Sequence, residues 1–598
     1  MRYARRLSTS KWQLLGALPL CAALALGCHG TVGDVGSPGA GGNGAGGNNG
    51  TGGMDVPCSG PSDPRMLPAS QRILLLTSAE MINTISYLFG ATEATAIKTA
   101  GMFNVTLDSD RTFPPAEGEP VKQITDTPTL QPISNMALAV AQYVNDNFAT
   151  VTGCTTASDT CAQTYLTTLA AKAYRRQLTS AETTRFSTLY TNLRSQIVNG
   201  YAVTATIQQA TQYSVYALLM TPQLLWRWEI GNSATTSTSP PGMYLTDDEL
   251  ASNVSFFLTD QPPDDMLLAA AKAGTLRSNL ASHITRILAT QQSKDWMRTV
   301  MEIYYLLNAL PKVINTIDGT KFPLLSAGLL SDMQTESQMF LDNTLWNGKL
   351  TDLLTSRTTY LNTYLAENIY KVPDPAGATL TNFVQTTLPS DQRSGILTNA
   401  GFITRAARPD GGSVVSRGLA VRDTMLCLTS AGPPDNLAAT ISAAKSALAT
   451  QTVQQQVAYR ASIPICASCH SNFDPYGLVL DYYDNLGTYR TTDDLGMPVD
   501  AHTTLPAVVG GATVQNAIDL SNQLSKSPAF INCMAASMLQ YAMVDETAPV
   551  QLPLIPSQSG CAAADVVSRF QSTSTQTYTD LIKATAASPA FVLRAAAP

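Results

Sequence analysis

Histidine is scarce in this chain, at four residues in 598, and charged side chains make up only 14%. Neither His-Glu-x-x-His, nor a P-loop, nor Gly-x-Ser-x-Gly occurs, so zinc hydrolases, nucleotide-driven enzymes and α/β-hydrolases have no sequence support. Basic residues are outnumbered 37 to 44, which argues against nucleic acid or an anionic membrane face as the main partner. Arg2, Arg5, Arg6 and Lys11 precede residue 28, so the remainder is more acidic still. After the N-terminal segment there is no run of 18 apolar residues, hence no further candidate membrane span. Alternating strand-like patterns are also rare. At 598 residues the chain needs several cores.

The N-terminus is an export signal. Three arginines and a lysine precede an apolar run from Trp12 to Leu26, which meets Gly27-Cys28. That order resembles a lipoprotein signal of residues 1–27, with Cys28 the lipidated first residue of the mature chain. Ala25 departs from the leucine such signals prefer; the alternative is a plain cleaved signal peptide. Residues 28–63 form a glycine-rich linker that behaves as a flexible tether. Its Gly42-x-Gly44-x-x-Gly47 follows no strand and opens no helix, so it is not a dinucleotide fingerprint.

The rest reads as mainly α: a multi-module helical protein with a C-terminal c-type haem module. Three Leu-Thr-x-x-Glu capping boxes mark helix starts, at Thr77 with Glu80, Thr179 with Glu182, and Thr246 with Glu249. After the first, Ile82, Ile85, Leu88 and Phe89 fall on one helical face, ended by Gly90; after the third, Leu250, Val254, Phe257 and Leu258 do the same. Thr221-Pro222, Ser527-Pro528 and Ser588-Pro589 open further helices with proline at the first position. The expected modules are 64–100, 101–240 and 241–375, a cytochrome c-like haem module at 390–491, and a helical module at 505–598.

One motif carries chemistry. Cys466-Ala467-Ser468-Cys469-His470 has the spacing of a c-type haem attachment site: the two thiols reach two vinyl groups of one porphyrin, and His470 ligates the iron. A structural zinc site needs four ligands, and only His283 and His502 remain as histidines in the folded part. A redox dithiol would sit in a βαβ setting that is missing here. Phe473, Tyr476, Tyr482, Tyr483 and Tyr489 could wall a porphyrin, and Arg405, Arg408, Arg417 and Arg422 could meet its propionates. The turn Asp474-Pro475-x-Gly477 could bring a backbone carbonyl to His470 Nδ1. The distal iron ligand stays open among Met497, Met534, Met538, Met543 and His502. Six more cysteines allow three disulfides; proximity suggests Cys154–Cys161 and Cys533–Cys561, leaving Cys58–Cys427 by elimination.

These segments together resemble the planctomycete-type cytochrome c family, exported proteins built from serial domains of unknown function. The resemblance rests on Leu76–Gly90, Ala173-Tyr174-Arg175-Arg176-Gln177-Leu178 and Leu245–Leu258 with Asp264–Leu267. It continues through Arg393–Thr398, Arg417-Gly418 with Leu426-Cys427, the motif through Asp474-Pro475 to Gly487-x-Tyr489-Arg490, and Cys533 with Tyr541-Ala542. Tyr459-Arg460 stands where many members carry His-Arg, and Met543-Val544-Asp545 replaces a common Leu-Gly-Arg. The resemblance implies one haem c on an exported protein, without naming a substrate. The expected role is electron transfer to redox partner proteins of the cell envelope, in the periplasm or at the outer membrane, with membrane contact only through the anchor. The competing readings are a peroxidase-like haem oxidoreductase and a surface scaffold.

Overall fold

The computed structural model describes residues 69–99, 127–198, 201–409, 413–428, 448, 450–543 and 558–595. The expected export signal, Cys28, the expected linker and Cys58 lie outside them. The described residues fall into two compact units, one of 84–99 and 127–226, the other of 69–83 and 227–595. Helix dominates both. No described helix is long and apolar enough to cross a membrane.

Helix α1 (Ser78–Phe89) opens with the expected box: Glu80 N–H donates to Thr77 Oγ1 at 3.1 Å, and Thr77 N–H to Glu80 Oε2 at 2.8 Å. Ile85 and Phe89 are buried as expected, together with Glu80, Met81 and Thr84, while Ile82 and Leu88 are half-buried. Gly90 ends it with φ +96°, a conformation a Cβ would strain.

In the first unit α2 (Thr127–Asp146), α3 (Asp159–Ala173) and α4 (Ser180–Ser195) surround α5 (Ile207–Leu219). α5 buries Ala210, Val215, Leu218 and Leu219, and a Thr206–Gln209 capping box fixes its start. Arg175 is buried at φ 56° and donates to the carbonyls of Gln223, Leu224 and Trp226, so the conspicuous Arg175-Arg176 pair is half structural. Arg176 instead clamps Glu182. A disulfide joins Cys154 to Cys161 in the first turn of α3.

The second unit has a four-stranded sheet. β1 (Ala69–Ser70) runs parallel to β6 (Leu593–Ala595), which pairs antiparallel with β5 (Pro241–Tyr244), followed by β4 (Thr236–Thr238). β2 (Arg72–Leu75) pairs with β3 (Trp226–Glu229). Glu229, on β3, is buried; burial opposes its ionisation, but Arg594, Arg72 and Arg227 override it and hold the carboxyl far below the usual range.

α6 (Asp247–Thr259) packs on α7 (Gln291–Tyr304), which packs on α8 (Ala327–Asn347), and Tyr304 of α7 donates to the Thr424 carbonyl in α9 (Val414–Leu426). The shorter α10 (Val453–Ser462), α11 (Pro464–His470) and α12 (Asp474–Leu478) follow, then α13 (Ala517–Lys526), α14 (Pro528–Met543), α15 (Gln558–Gln571) and α16 (Tyr578–Ala586). One hydrophobic core runs from Leu245 to Phe591 and takes in Val421, Tyr476 and Tyr483, so segments that read as separate in sequence share one interior. α6 is buried on nearly every side, Leu250, Val254, Phe257 and Leu258 included.

A polar cluster lies within this core. Buried Glu336 on α8 accepts from Tyr370 Oη at 2.5 Å and Thr359 Oγ1 at 2.7 Å. Burial raises its carboxyl to about 7 despite those two donors. Arg393 lies over the rings of Tyr370 and Tyr483 and donates to the carbonyls of Thr398 and Gly487.

The disulfides need one correction. Cys427, the left-handed cap ending α9, is bonded to Cys533 on α14, with Cα atoms 5.2 Å apart. This replaces the expected Cys533–Cys561 and Cys58–Cys427. The packing of α9 on α14 brings together cysteines 106 residues apart, which pairing by sequence proximity overlooks. Cys561 is itself disulfide-bonded.

Candidate haem-attachment site

The floor of the site is built before the motif. α9 and α12 cross backbone to backbone, through Gly418 and Gly477. A Cβ on Gly418 would fall 2.0 Å from the Phe473 carbonyl oxygen, and one on Gly477 would fall 1.9 Å from that of Val414, so neither position admits a side chain. Arg417, buried in α9, donates to the carbonyls of Leu480, Tyr483 and Asp484 beyond the end of α12. Burial lowers its guanidinium to about 10.

On this floor stands a different kind of structure. A Thr452–Gln455 capping box starts α10, and Pro464 starts α11. Neither helix buries a single residue, although nearly every residue flanking them in sequence at 414–426 and 473–486 is buried or half-buried. Cys466 is half-buried, Cys469 exposed, and both are free thiols. Cysteines three apart in α11 lie on one face, one turn from each other.

His470 is the last residue of α11 and keeps a quarter of its side chain exposed. Its ring leans on Phe473, with centroids 4.9 Å apart. Nδ1 lies 3.0 Å from Oδ1 of Asp474. Asp474 is almost fully buried, and its other oxygen accepts from Arg460 Nε at 2.6 Å. A carboxylate accepts only, so Nδ1 carries the proton and the Nε2 lone pair is left to face a metal. The partner of Nδ1 is therefore the Asp474 side chain, in place of the expected backbone carbonyl.

The remaining candidates separate cleanly. Met534, Met538 and Met543 are buried in the main core and do not reach a surface site. Met497 is half exposed on a loop whose Asp493 accepts from the Met497 amide, and His502 is exposed, pairs with Asp500 and lies at the opposite end of α10, by Gln454. Tyr476 and Tyr483 belong to the core, and Tyr482 stacks on Tyr489, which leaves Phe473 as the aromatic touching His470. Arg417 is buried, Arg405 is half-buried against the Phe402 ring, and Arg408 binds Ser416. Arg417 and Arg405 thus serve the interior and are not placed for propionates. Asp474 and Arg460 were missed as site residues; the His-x-x-x-Asp spacing, four apart, was the available signal.

Two cysteines and a histidine on one short helix, with the outer ring nitrogen free, fit a haem c in number, type and spacing. The unburied face of α11, with Ile465 about half exposed, offers apolar surface for a large flat group to cover. Among the described residues no three His, Cys, Asp or Glu side chains gather as metal ligands.

Residues 245–372 match a family model described as PSD4, a protein of unknown function (DUF1592). Residues 393–493, which include the motif, match one described as PSCyt3, a protein of unknown function (DUF1588). Both are domains associated with planctomycete cytochromes c, which supports the likeness to that family. No curated protein and no solved structure matches the chain.

Proposed function

We propose that this chain is an exported c-type haem protein that transfers electrons in the cell envelope, tethered by a lipid on Cys28 in the periplasm or at the outer membrane. The observation that carries the reading is the half-exposed α11, which presents Cys466, Cys469 and His470 together with Nδ1 of His470 already engaged. Haem held there supplies one-electron redox chemistry. Cys466 and Cys469 anchor it, His470 Nε2 ligates it, Phe473 fixes the imidazole plane, and the surface position exposes the site to a docking redox protein.

The test is a pyridine haemochrome spectrum with an in-gel haem stain, on protein exported from a host with c-type maturation. A c-type band that survives denaturation and disappears in the Cys466→Ala, Cys469→Ala double variant supports the reading. Absence of covalent haem from the unaltered protein removes it.

Burial of Met534, Met538 and Met543 favours a second reading, a haem oxidoreductase with an open distal position. Cyanide binding to the ferric protein with a spectral change supports it, and a spectrum indifferent to cyanide and peroxide defeats it.

A further inference from the structure

Asp474 is an expensive residue for the place it occupies. A carboxylate almost fully removed from water is costly unless paired and hydrogen-bonded on both oxygens. Arg460 supplies one partner, through Nε at 2.6 Å, and His470 Nδ1 the other, at 3.0 Å. A buried serine or a backbone carbonyl would orient the imidazole as well and without a charge. The charge itself therefore needs a reason.

The arrangement is rigid along its length. Asp474 opens α12, which is locked against α9 at the Gly418–Gly477 crossing, and Phe473 beside it touches the His470 ring. Arg460 reaches across from α10, so three helices converge on one carboxylate. Arg460 fixes the carboxylate in place, so that Oδ1 stays aimed at the imidazole. A hydrogen bond from Nδ1–H to a full negative charge draws the proton outward and pushes electron density onto Nε2. A more basic Nε2 stabilises ferric over ferrous iron.

We infer that Asp474, fixed by Arg460, is a positioning residue that sets the redox poise of the site by lending His470 imidazolate character, so that the iron is held at a lower potential than a backbone acceptor at Nδ1 would give. This rests on the haem reading above. It narrows that reading to a protein that favours the ferric state and gives electrons readily to its partner.

The test compares the exported, haem-loaded full-length protein with Asp474→Asn, which keeps an oxygen acceptor but removes the charge, and with Arg460→Gln. Asp474→Asn is expected to favour the ferrous form at least tenfold, an upward shift of about 59 mV or more for one electron. Arg460→Gln shifts the potential in the same direction by less. Resonance Raman of the photolysed ferrous CO complex of the unaltered protein gives an iron–histidine stretch raised to imidazolate-like frequency, which falls in Asp474→Asn. A stretch typical of a carbonyl-bonded histidine in the unaltered protein overturns the inference even where the variants fail to load haem. So does an unchanged potential in a loaded Asp474→Asn. Absence of haem from the unaltered protein instead defeats the function proposed above.

Discussion

The motif helices and the floor beneath them follow opposite rules. α10 and α11 bury nothing, yet hold both free cysteines and the half-exposed His470. α9 and α12 meet so closely that two glycines have room only for hydrogen, and the buried Arg417 gathers the carbonyls of Leu480, Tyr483 and Asp484 just beyond α12. Core packing sets stability, while the motif helices lack the buried area that would contribute to it. The difference teaches that chemistry here is mounted on the fold and does not build it. Asp474 joins the two regions, buried like the floor and bonded to the motif.

Substitutions can break this contrast, in order of expected size. Replacing both Cys427 and Cys533 by Ala opens a loop with a sequence separation of 106 and should cost about 4–5 kcal/mol, read by denaturant unfolding. A cost below about 1 kcal/mol would show that helix packing alone ties the floor to α14.

Gly418→Ala comes next. Its new methyl meets a backbone carbonyl, which has nowhere to retreat, so about 3 kcal/mol of stability is expected to go. A neutral outcome in the same unfolding measurement would mean that α9 and α12 can separate freely.

Glu336 probes the interior through pH. Its carboxyl stands at about 7 when folded, against an ordinary 4.5, so the folded chain binds a proton that the unfolded chain releases between those values. The associated stability is complete below pH 4.5 and is lost as pH rises to about 7, on the order of 2–3 kcal/mol. Subtracting the pH-stability curve of Glu336→Gln from that of the unaltered protein should expose this fall. A flat difference would place water at the carboxylate.

Ser468→Ala, on the exposed face of the motif, should move the unfolding free energy by no more than about 0.5 kcal/mol. A larger loss would tie the motif helices to the core and weaken the contrast.

Much of this was legible where the signal is local. The Thr77–Glu80, Thr179–Glu182 and Thr246–Glu249 boxes form as their spacing requires, and Pro222, Pro528 and Pro589 each open a helix. What was hidden is long-range. Arg417 reads as a surface cation until the segment after α12 supplies carbonyls for it, and the partner of Cys427 depends on how α9 meets α14. The strands are two to four residues long, too short for alternation to register. At the site, residue types and spacing marked Cys466, Cys469 and His470, but only the turn from α11 into α12 shows that Asp474 presents its carboxylate to the imidazole.

The place of β6 has a consequence for how the second unit assembles. It lies between β1 and β5, and Arg594 on it meets the buried Glu229. Residues close to opposite ends of the sequence thus become neighbours, and the sheet gains its inner strand only when residue 593 and its successors arrive. Until then one of the three arginines around Glu229 is missing. The second unit therefore closes late, like a clasp fastened after everything inside is in position.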